Sequence, residues 1–430
     1  MKIVPPSPYE AVPYSTFPRI ETHPDRLAAV GMLLGMSPAP VASCRVLELG
    51  CGDGGNLIPM AYFLPSSRFV GVDLAARAVG AGISTIADMQ LSNIVMYQRD
   101  LRDLDRDAGE FDYIIAHGLY SWIPEDVRNR LMALCRDLLA PQGIAYISYN
   151  TWPGRHARNM LREMMLYHLR DVRGGRRRLR EARRFLRALG TVDAREMAAR
   201  PDDVLFHDDL APVNDPVWFR DFVAHAGRHG LQYLGSARTP ARPLESRVDL
   251  DGREERTHDS ARDIETEQYD DFATMRAFRQ SLLCREEVQL NLDITAELMP
   301  RFLFSPVDPQ AIESSVTAAL ADSYPLPLPY EDLLPYDDAL PDSLFALYRR
   351  GAVNLHVFDF PCEETVTVRP RATRLARYQA VRSVFVTSIC HNLVELTEQD
   401  RELLQRLDGR NEVSSPRIEW FARMGLLERS

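Results

Sequence analysis

Between residues 45 and 155, short apolar runs alternate with stretches of helical periodicity. The runs 45–49, 68–72, 94–97, 113–116 and 144–148 have strand length, and 126–139 places Val127, Leu131, Leu134 and Leu138 on one helical face. Such alternation predicts a parallel α/β sheet covered by helices. Before it, a Pro-rich leader gives way near Pro24 to a helix with Leu27, Val30, Leu33 and Leu34 on one side. After it, 156–238 reads as mainly helical, with an arginine-rich helix over 170–189 and a second helical unit over 216–234. A polar linker is expected at 239–268, a helix over 269–284 and a Pro-rich mixed region at 286–350. At the end, Thr397-Glu398-Gln399-Asp400 is a capping signal, Gly409 a stop and Ser415-Pro416 a second start, which predicts a small helical or winged-helix-like tail. The expected division is 1–155, with its N-terminal segment as a lid, then 156–285, 286–375 and 376–430.

Composition narrows the function classes. A chain of 430 residues exceeds one hydrophobic core, and 45% apolar with 26% charged residues is ordinary for a globular protein. A net charge of −10 gives no overall field for nucleic acid, and the arginines of 170–187, interleaved with Leu179, Leu186 and Leu189, read as a solvated amphipathic helix. Lys2 is the lone lysine, so an enzyme acting on lysine has almost no target in itself. The six cysteines are scattered, without C-x-x-C pairs, which argues against zinc and disulfides and for a reducing compartment. His207-Asp208-Asp209 has no further ligands at suitable spacing, so no metal is expected. The chain has neither the apolar core of a signal peptide nor a membrane-length apolar run, so the cytoplasm is the expected location, without membrane insertion. The 156–238 region, with Phe219 and Phe222, is a candidate homodimer surface.

The chemistry concentrates in Val46-Leu47-Glu48-Leu49-Gly50-Cys51-Gly52-Asp53-Gly54-Gly55-Asn56, a strand running through a glycine-rich turn into a helix. Glycines there permit a tight turn and close approach of a cofactor to main-chain N–H groups. Asp73 ends the second strand, twenty-three residues beyond Gly50, where a carboxylate can accept both ribose hydroxyls. Asp100 follows the third strand and can receive an adenine amino group while Leu101 packs on the ring. These three elements at Rossmann-like spacing predict an adenosine-type cofactor.

The E-x-G-x-G-x-G pattern resembles class I S-adenosylmethionine-dependent methyltransferases. The resemblance implies that Glu48 orders the loop and the cofactor's amino-acid end, and that Gly50 and Gly52 line the cofactor. It further implies that Asp73 holds the ribose and Asp100 meets the adenine, with Cys51, Asn56, Leu74, Leu101, His117 and Gly118 completing the site. S-adenosylhomocysteine is then the product. Tyr14, Thr22-His23-Pro24-Asp25-Arg26, His117-Gly118-Leu119-Tyr120-Ser121-Trp122 and Tyr149-Asn150-Thr151-Trp152-Pro153-Gly154 extend the likeness. With His207-Asp208-Asp209-Leu210, the 229–234 run and Gln280-Ser281-Leu282-Leu283-Cys284, they resemble bacterial methyltransferases carrying a methyltransferase regulatory domain. Relatives of that architecture include lysine methyltransferases acting on outer-membrane proteins.

In this fold the loop after the fourth strand points at the methyl group. It lacks the N-P-P-Y sequence associated with planar nitrogens. His117 is a candidate proton acceptor or cofactor-lining group, and Tyr120 and Tyr149 are further catalytic candidates. Tyr14, Trp122 and Asn150 are candidate substrate contacts. The leading expectation is methyl transfer to a protein lysine amine. A small-molecule O- or N-methyltransferase is the alternative, and a cofactor-binding scaffold with little catalysis the alternative of another class.

Overall fold

The computed structural model describes residues 16–238, 260–362 and 366–428. Its centre is a seven-stranded sheet of β1 (Arg45–Leu49), β2 (Arg68–Asp73), β3 (Ile94–Gln98), β4 (Phe111–Ala116), β5 (Leu139–Asn150), β6 (Leu231–Ser236) and β7 (Phe278–Arg285). The strand order is β3-β2-β1-β4-β5-β7-β6, with β1 to β5 parallel and β7 antiparallel to both its neighbours. The order reverses between β1 and β4, so a crevice opens beyond their carboxyl ends, where open α/β sheets bind ligands.

Alternate residues serve opposite faces of the sheet. Val46, Ile144 and Tyr146 join one buried cluster, while Leu47, Ile114, Ile147 and Tyr149 join the other. Both faces are covered by helices, among them α1 (Pro24–Leu33) on one side and Glu125–Leu138 on the other. Covering of this kind is what allows parallel strands to be apolar throughout.

Three expectations are corrected. The stretch 269–284 is not one helix: a helix over Ser260–Thr274 ends and β7 begins at Phe278. β7 bonds to β5 on one side and β6 on the other, and that pairing overrides its local helical reading. The unit at 216–234 likewise divides into a helix, Phe219–Gly227, and β6, with Gly230 at φ +71° making the turn. Of the expected linker, 239–259 lies outside the described residues and 260–268 is helical. In consequence the sheet does not end at residue 155: its last two strands come from 156–285.

The helices His156–His168, Gly175–Leu189 and Val192–Ala199 enclose a separate core of Leu161, Met165, Leu179, Leu186 and Met197. A three-stranded sheet, β10 (Val353–His356), β8 (Leu303–Pro306) and β9 (Leu328–Pro329), packs Phe304 and Leu355 with Leu320, Leu344 and the α1 residues Ala29 and Leu33. The tail comprises helix Arg374–Arg382, the hairpin β11 (Phe385–Thr387) and β12 (Leu393–Glu395), then Glu398–Arg406 and Arg417–Arg423. Thr397 and Asp400 form the expected capping box, and Gly409 stands at φ +76°.

Candidate functional site

β1 delivers Gly50, Gly52 and Gly54 at φ +79°, +57° and +80°, a region glycine enters without a Cβ penalty. The turn is tied to β2: the N–H groups of Gly50 and Cys51 donate to the Val72 carbonyl at 2.8 and 3.2 Å. The Gly52 N–H donates to Asp73 Oδ2 at 2.9 Å, and the Ala75 N–H to Oδ1 at 2.7 Å. Asp73 is therefore held by two main-chain donors, each of its oxygens keeping a free lone pair. Burial pushes its carboxyl up.

Glu48 lies buried beneath the turn. Its Oε1 accepts from Asn56 Nδ2 at 2.9 Å, while Oε2 has no partner. Burial, reinforced by nearby Asp73 and Asp53 and opposed by the Asn56 hydrogen bond, raises its carboxyl to about 8. An orphaned buried oxygen beside a cavity is a place for a donor from a bound molecule.

The cavity has a volume of about 1,490 Å³. At one end its wall holds Glu48, Gly50, Cys51, Gly52, Asn56, Asp73, Leu74, Asp100, Leu101, His117 and Gly118, so all eleven residues expected at the cofactor meet there. Asp100 caps a short turn, and its hydrogen bonds to the Arg102 guanidinium hold the carboxyl below its ordinary value. These residues fit S-adenosylmethionine: Asp73 offers acceptors to a ribose, Asp100 and Leu101 an adenine contact, and Glu48 Oε2 an unfilled acceptor.

His117 lines the cavity, with Nδ1 3.0 Å from the Tyr146 hydroxyl. Burial, with a smaller contribution from Arg19, pushes it down to about 3. It is neutral at physiological pH and too weak a base to take a proton from an ammonium ion. Trp122 also lines the cavity, and its indole N–H has no partner.

Three candidates are placed away from the cavity. Tyr120 points into the core, its hydroxyl 2.8 Å from His225 Nδ1 and its ring edge-on to Phe222 at 5.2 Å. Tyr149 shares its strand face with Ala145 and Ile147, stacks on Phe222 at 4.0 Å and bonds Ser281 at 3.0 Å. Asn150 is buried and donates to Asn214 Oδ1 at 3.0 Å. All three therefore hold the wall behind the cavity rather than face an acceptor. Tyr14 lies outside the described residues.

The wall also holds residues outside the set of site candidates, beginning with the segment that follows Tyr14. Thr16 lies across the glycine turn, bonding Asp53 and accepting from the Gly55 N–H at 2.7 Å. The approach is so close that a Cβ on Gly55 would sit 2.3 Å from the Thr16 carbonyl oxygen. Arg19 and Glu21 follow, and Asp208, Glu267, Phe278, Arg279 and Gln280 form the far wall. Asp208 and Gln280 lie in runs that carry the family resemblance, whereas Glu267, Phe278 and Arg279 give no local signal. Among the described residues no group of three or more His, Cys, Asp or Glu side chains is arranged to hold a metal, and no helix is long and apolar enough to cross a membrane.

Comparison with known proteins agrees with this geometry. Residues 46–143 match a methyltransferase domain, 201–285 a predicted methyltransferase regulatory domain and 369–415 the PKMT C-terminal winged helix domain. Two uncharacterized proteins of Rickettsia prowazekii are similar. One is 34% identical over 69% of this chain and 56% of its own length, and the other 32% identical over 53% and 96%. The chain thus spans little more than half the length of the first. The fold is that of PKMT2 from Rickettsia typhi, whose structure has been solved with AdoHcy (TM-score 0.80, 24% identity, 96% of this chain and 100% of that one). The chain belongs to the family of class I S-adenosylmethionine-dependent methyltransferases that carry a methyltransferase regulatory domain and a PKMT-type C-terminal winged helix.

Proposed function

We propose that this protein transfers a methyl group from S-adenosylmethionine to the side-chain amine of lysine in a protein substrate. The observation that carries the reading is the size and lining of the cavity. At about 1,490 Å³ it has room for S-adenosylmethionine and an acceptor segment together. Beyond the glycine turn and Asp73 its wall mixes apolar residues such as Leu166, Phe206 and Phe278 with both charges, Glu21, Asp208 and Glu267 and Arg178, Arg276 and Arg279. Such a wall suits a peptide segment better than a small apolar acceptor. The resemblance of the sequence to lysine methyltransferases of outer-membrane proteins, and the PKMT winged helix, favour the same substrate class.

When bound, S-adenosylmethionine supplies an electrophilic methyl group. Glu48 and Asn56 order the turn beneath its amino-acid end, while Asp73 and Asp100 fix ribose and adenine. Holding the acceptor in line accounts for most of the rate. A lysine must attack as the neutral amine. Because burial pushes His117 down to about 3, this imidazole is a poor acceptor for the amine's proton. His117 instead closes the wall over the cofactor beside Phe278, with the buried Tyr146 hydroxyl bracing its ring from behind.

Self-association is a second element of the proposal. Phe219 and Phe222 are fully buried and offer no such surface, but helix His156–His168 exposes Met160, Met164 and Tyr167 at helical spacing, and Val192 is exposed in the same lobe. An apolar face of this kind is a candidate homodimer contact.

The test is incubation with methyl-labelled S-adenosylmethionine and a bacterial envelope-protein fraction, followed by acid hydrolysis. Label recovered as methyllysine is expected. Label confined to small molecules would transfer the reading to the small-molecule alternative, and binding without transfer to the scaffold alternative.

A further inference from the structure

The hairpin of the winged helix has a tip that is buried. Hairpin tips ordinarily lie in solvent, yet Ser388, Cys390 and His391, between β11 and β12, are 0%, 3% and 1% exposed. Ile389 and Cys390 pack with Phe360, Phe358 and Phe63, the last residue of the helix Leu57–Phe63. His391 sits at φ +61°, in the left-handed region that a residue with a side chain enters at a cost. The turn is held there by the His391 N–H donating to the Ser388 carbonyl at 3.0 Å and the Ser388 N–H to the Asn392 carbonyl at 2.9 Å.

That backbone brings His391 Nε2 to 2.9 Å from Asn56 Oδ1, across 335 residues of sequence. The Asn56 amide is saturated. Its Nδ2 donates to Glu48 Oε1 at 2.9 Å and to Thr22 Oγ1 at 3.0 Å, and its Oδ1 accepts from the Arg19 main-chain N–H at 2.9 Å. A main-chain N–H can only donate, so Oδ1 must face Arg19, and the amide orientation is fixed. His391 therefore donates from Nε2–H, and its Nδ1 has no partner. The ring is neutral, since burial and the nearby His23 hold it well below its ordinary value. His23 itself lies 5.4 Å away, ring to ring.

We propose that the wing is a working part of the cofactor site, with His391 as a positioning residue that orients Asn56 and, through it, Glu48 and the glycine turn. The winged helix thus uses in cis, against its own catalytic domain, the element through which such folds otherwise reach a partner. Loss of the His391 donor leaves Asn56 Oδ1 to the Arg19 main-chain N–H and a longer contact with Thr22 at 3.3 Å, so the amide, and the Glu48 carboxyl that it holds, are less tightly placed. The argument rests on S-adenosylmethionine being the cofactor.

The experiment is isothermal titration of the full chain with S-adenosylmethionine, comparing wild type with His391→Gln, which keeps a donor near Nε2, and His391→Met, which fills similar space without one. Circular dichroism and melting check the fold of each. His391→Met is expected to weaken binding about five- to tenfold, the loss of one buried hydrogen bond, while His391→Gln stays within about twofold of wild type. In an Asn56→Ala background, Gln and Met should bind alike, because the relay is already broken. Equal affinity of the Gln and Met variants in the native background would reduce His391 to packing and overturn the proposal. So would a Gln–Met difference that persists without Asn56. No binding by the wild-type chain would overturn the cofactor reading itself, a result distinct from either.

Discussion

Replacing Glu48 by Gln keeps the shape of the side chain and removes its charge. In the unfolded chain this carboxyl has its ordinary value of 4.5, while in the fold burial raises it to about 8. At pH 7 the unfolded state has shed the proton and the native state retains it, a difference of about 3 kcal/mol against folding. Because the folded value is the raised one, the stabilisation is complete below 4.5 and is lost as pH rises through 8. Gln does not titrate, but its amide nitrogen takes the place of the unpartnered Oε2, which costs about 1–3 kcal/mol. Glu48→Gln should therefore be less stable than wild type at pH 5, level or up to about 2 kcal/mol more stable at pH 7, and more stable still at pH 9. The assay is thermal melting of both proteins across that range, with and without S-adenosylmethionine. The cofactor should raise the melting temperature of wild type more than that of the variant, since the variant binds it less tightly. A stability difference that does not change with pH, or a variant less stable at pH 9, would refute the account of Glu48 as a strained, uncompensated carboxyl.

Asp73→Ala should lose at least about tenfold in cofactor affinity, since it removes a ribose acceptor worth about one charged hydrogen bond; it should also melt lower, because Gly52 and Ala75 lose their acceptor, and titration calorimetry with circular dichroism reads both. His117→Gln should leave the shape of the pH–rate profile between pH 6 and 9 unchanged, because the histidine titrates at about 3. Initial rates across that range check it, and loss of an inflection would restore His117 as a base. Tyr120→Phe removes the bond to His225 and should cost about 1 kcal/mol of stability with kcat unchanged, as measured by melting and turnover. Met164→Arg, on the exposed face of helix His156–His168, should shift sedimentation toward monomer if that face pairs two copies.

The cofactor end of the site was legible because its signals are local. Glu48, the glycines, Asp73 and Asp100 each stand at the end of a strand, and a parallel sheet carries those ends to one edge. The acceptor end was not legible. Tyr149 and Asn150 leave the correct strand, but which face each takes depends on strand register and on Phe222, which arrives from the helix over Phe219–Gly227. The 278–285 strand departs from its helical reading for a similar reason: its partners, β5 and β6, are remote, and only pairing makes this half-polar octapeptide extended rather than helical. His391 gave no signal, since a histidine in a hairpin turn is unremarkable until the tail folds onto Asn56.

The placement of β7 also governs how the molecule can be made. Ala145 of β5 bonds opposite Leu283, a partner translated well over a hundred residues later. Until residue 285 has left the ribosome, β5 is an unpaired and highly apolar edge, the kind of surface that templates aggregation. Synthesis at ~5–20 residues per second leaves that edge open for many seconds. A nascent or truncated chain ending near 155 would hold every residue expected at the cofactor and still lack a closed sheet. The sheet of the catalytic centre is thus completed only by strands of the regulatory region, which ties the two into one structural unit.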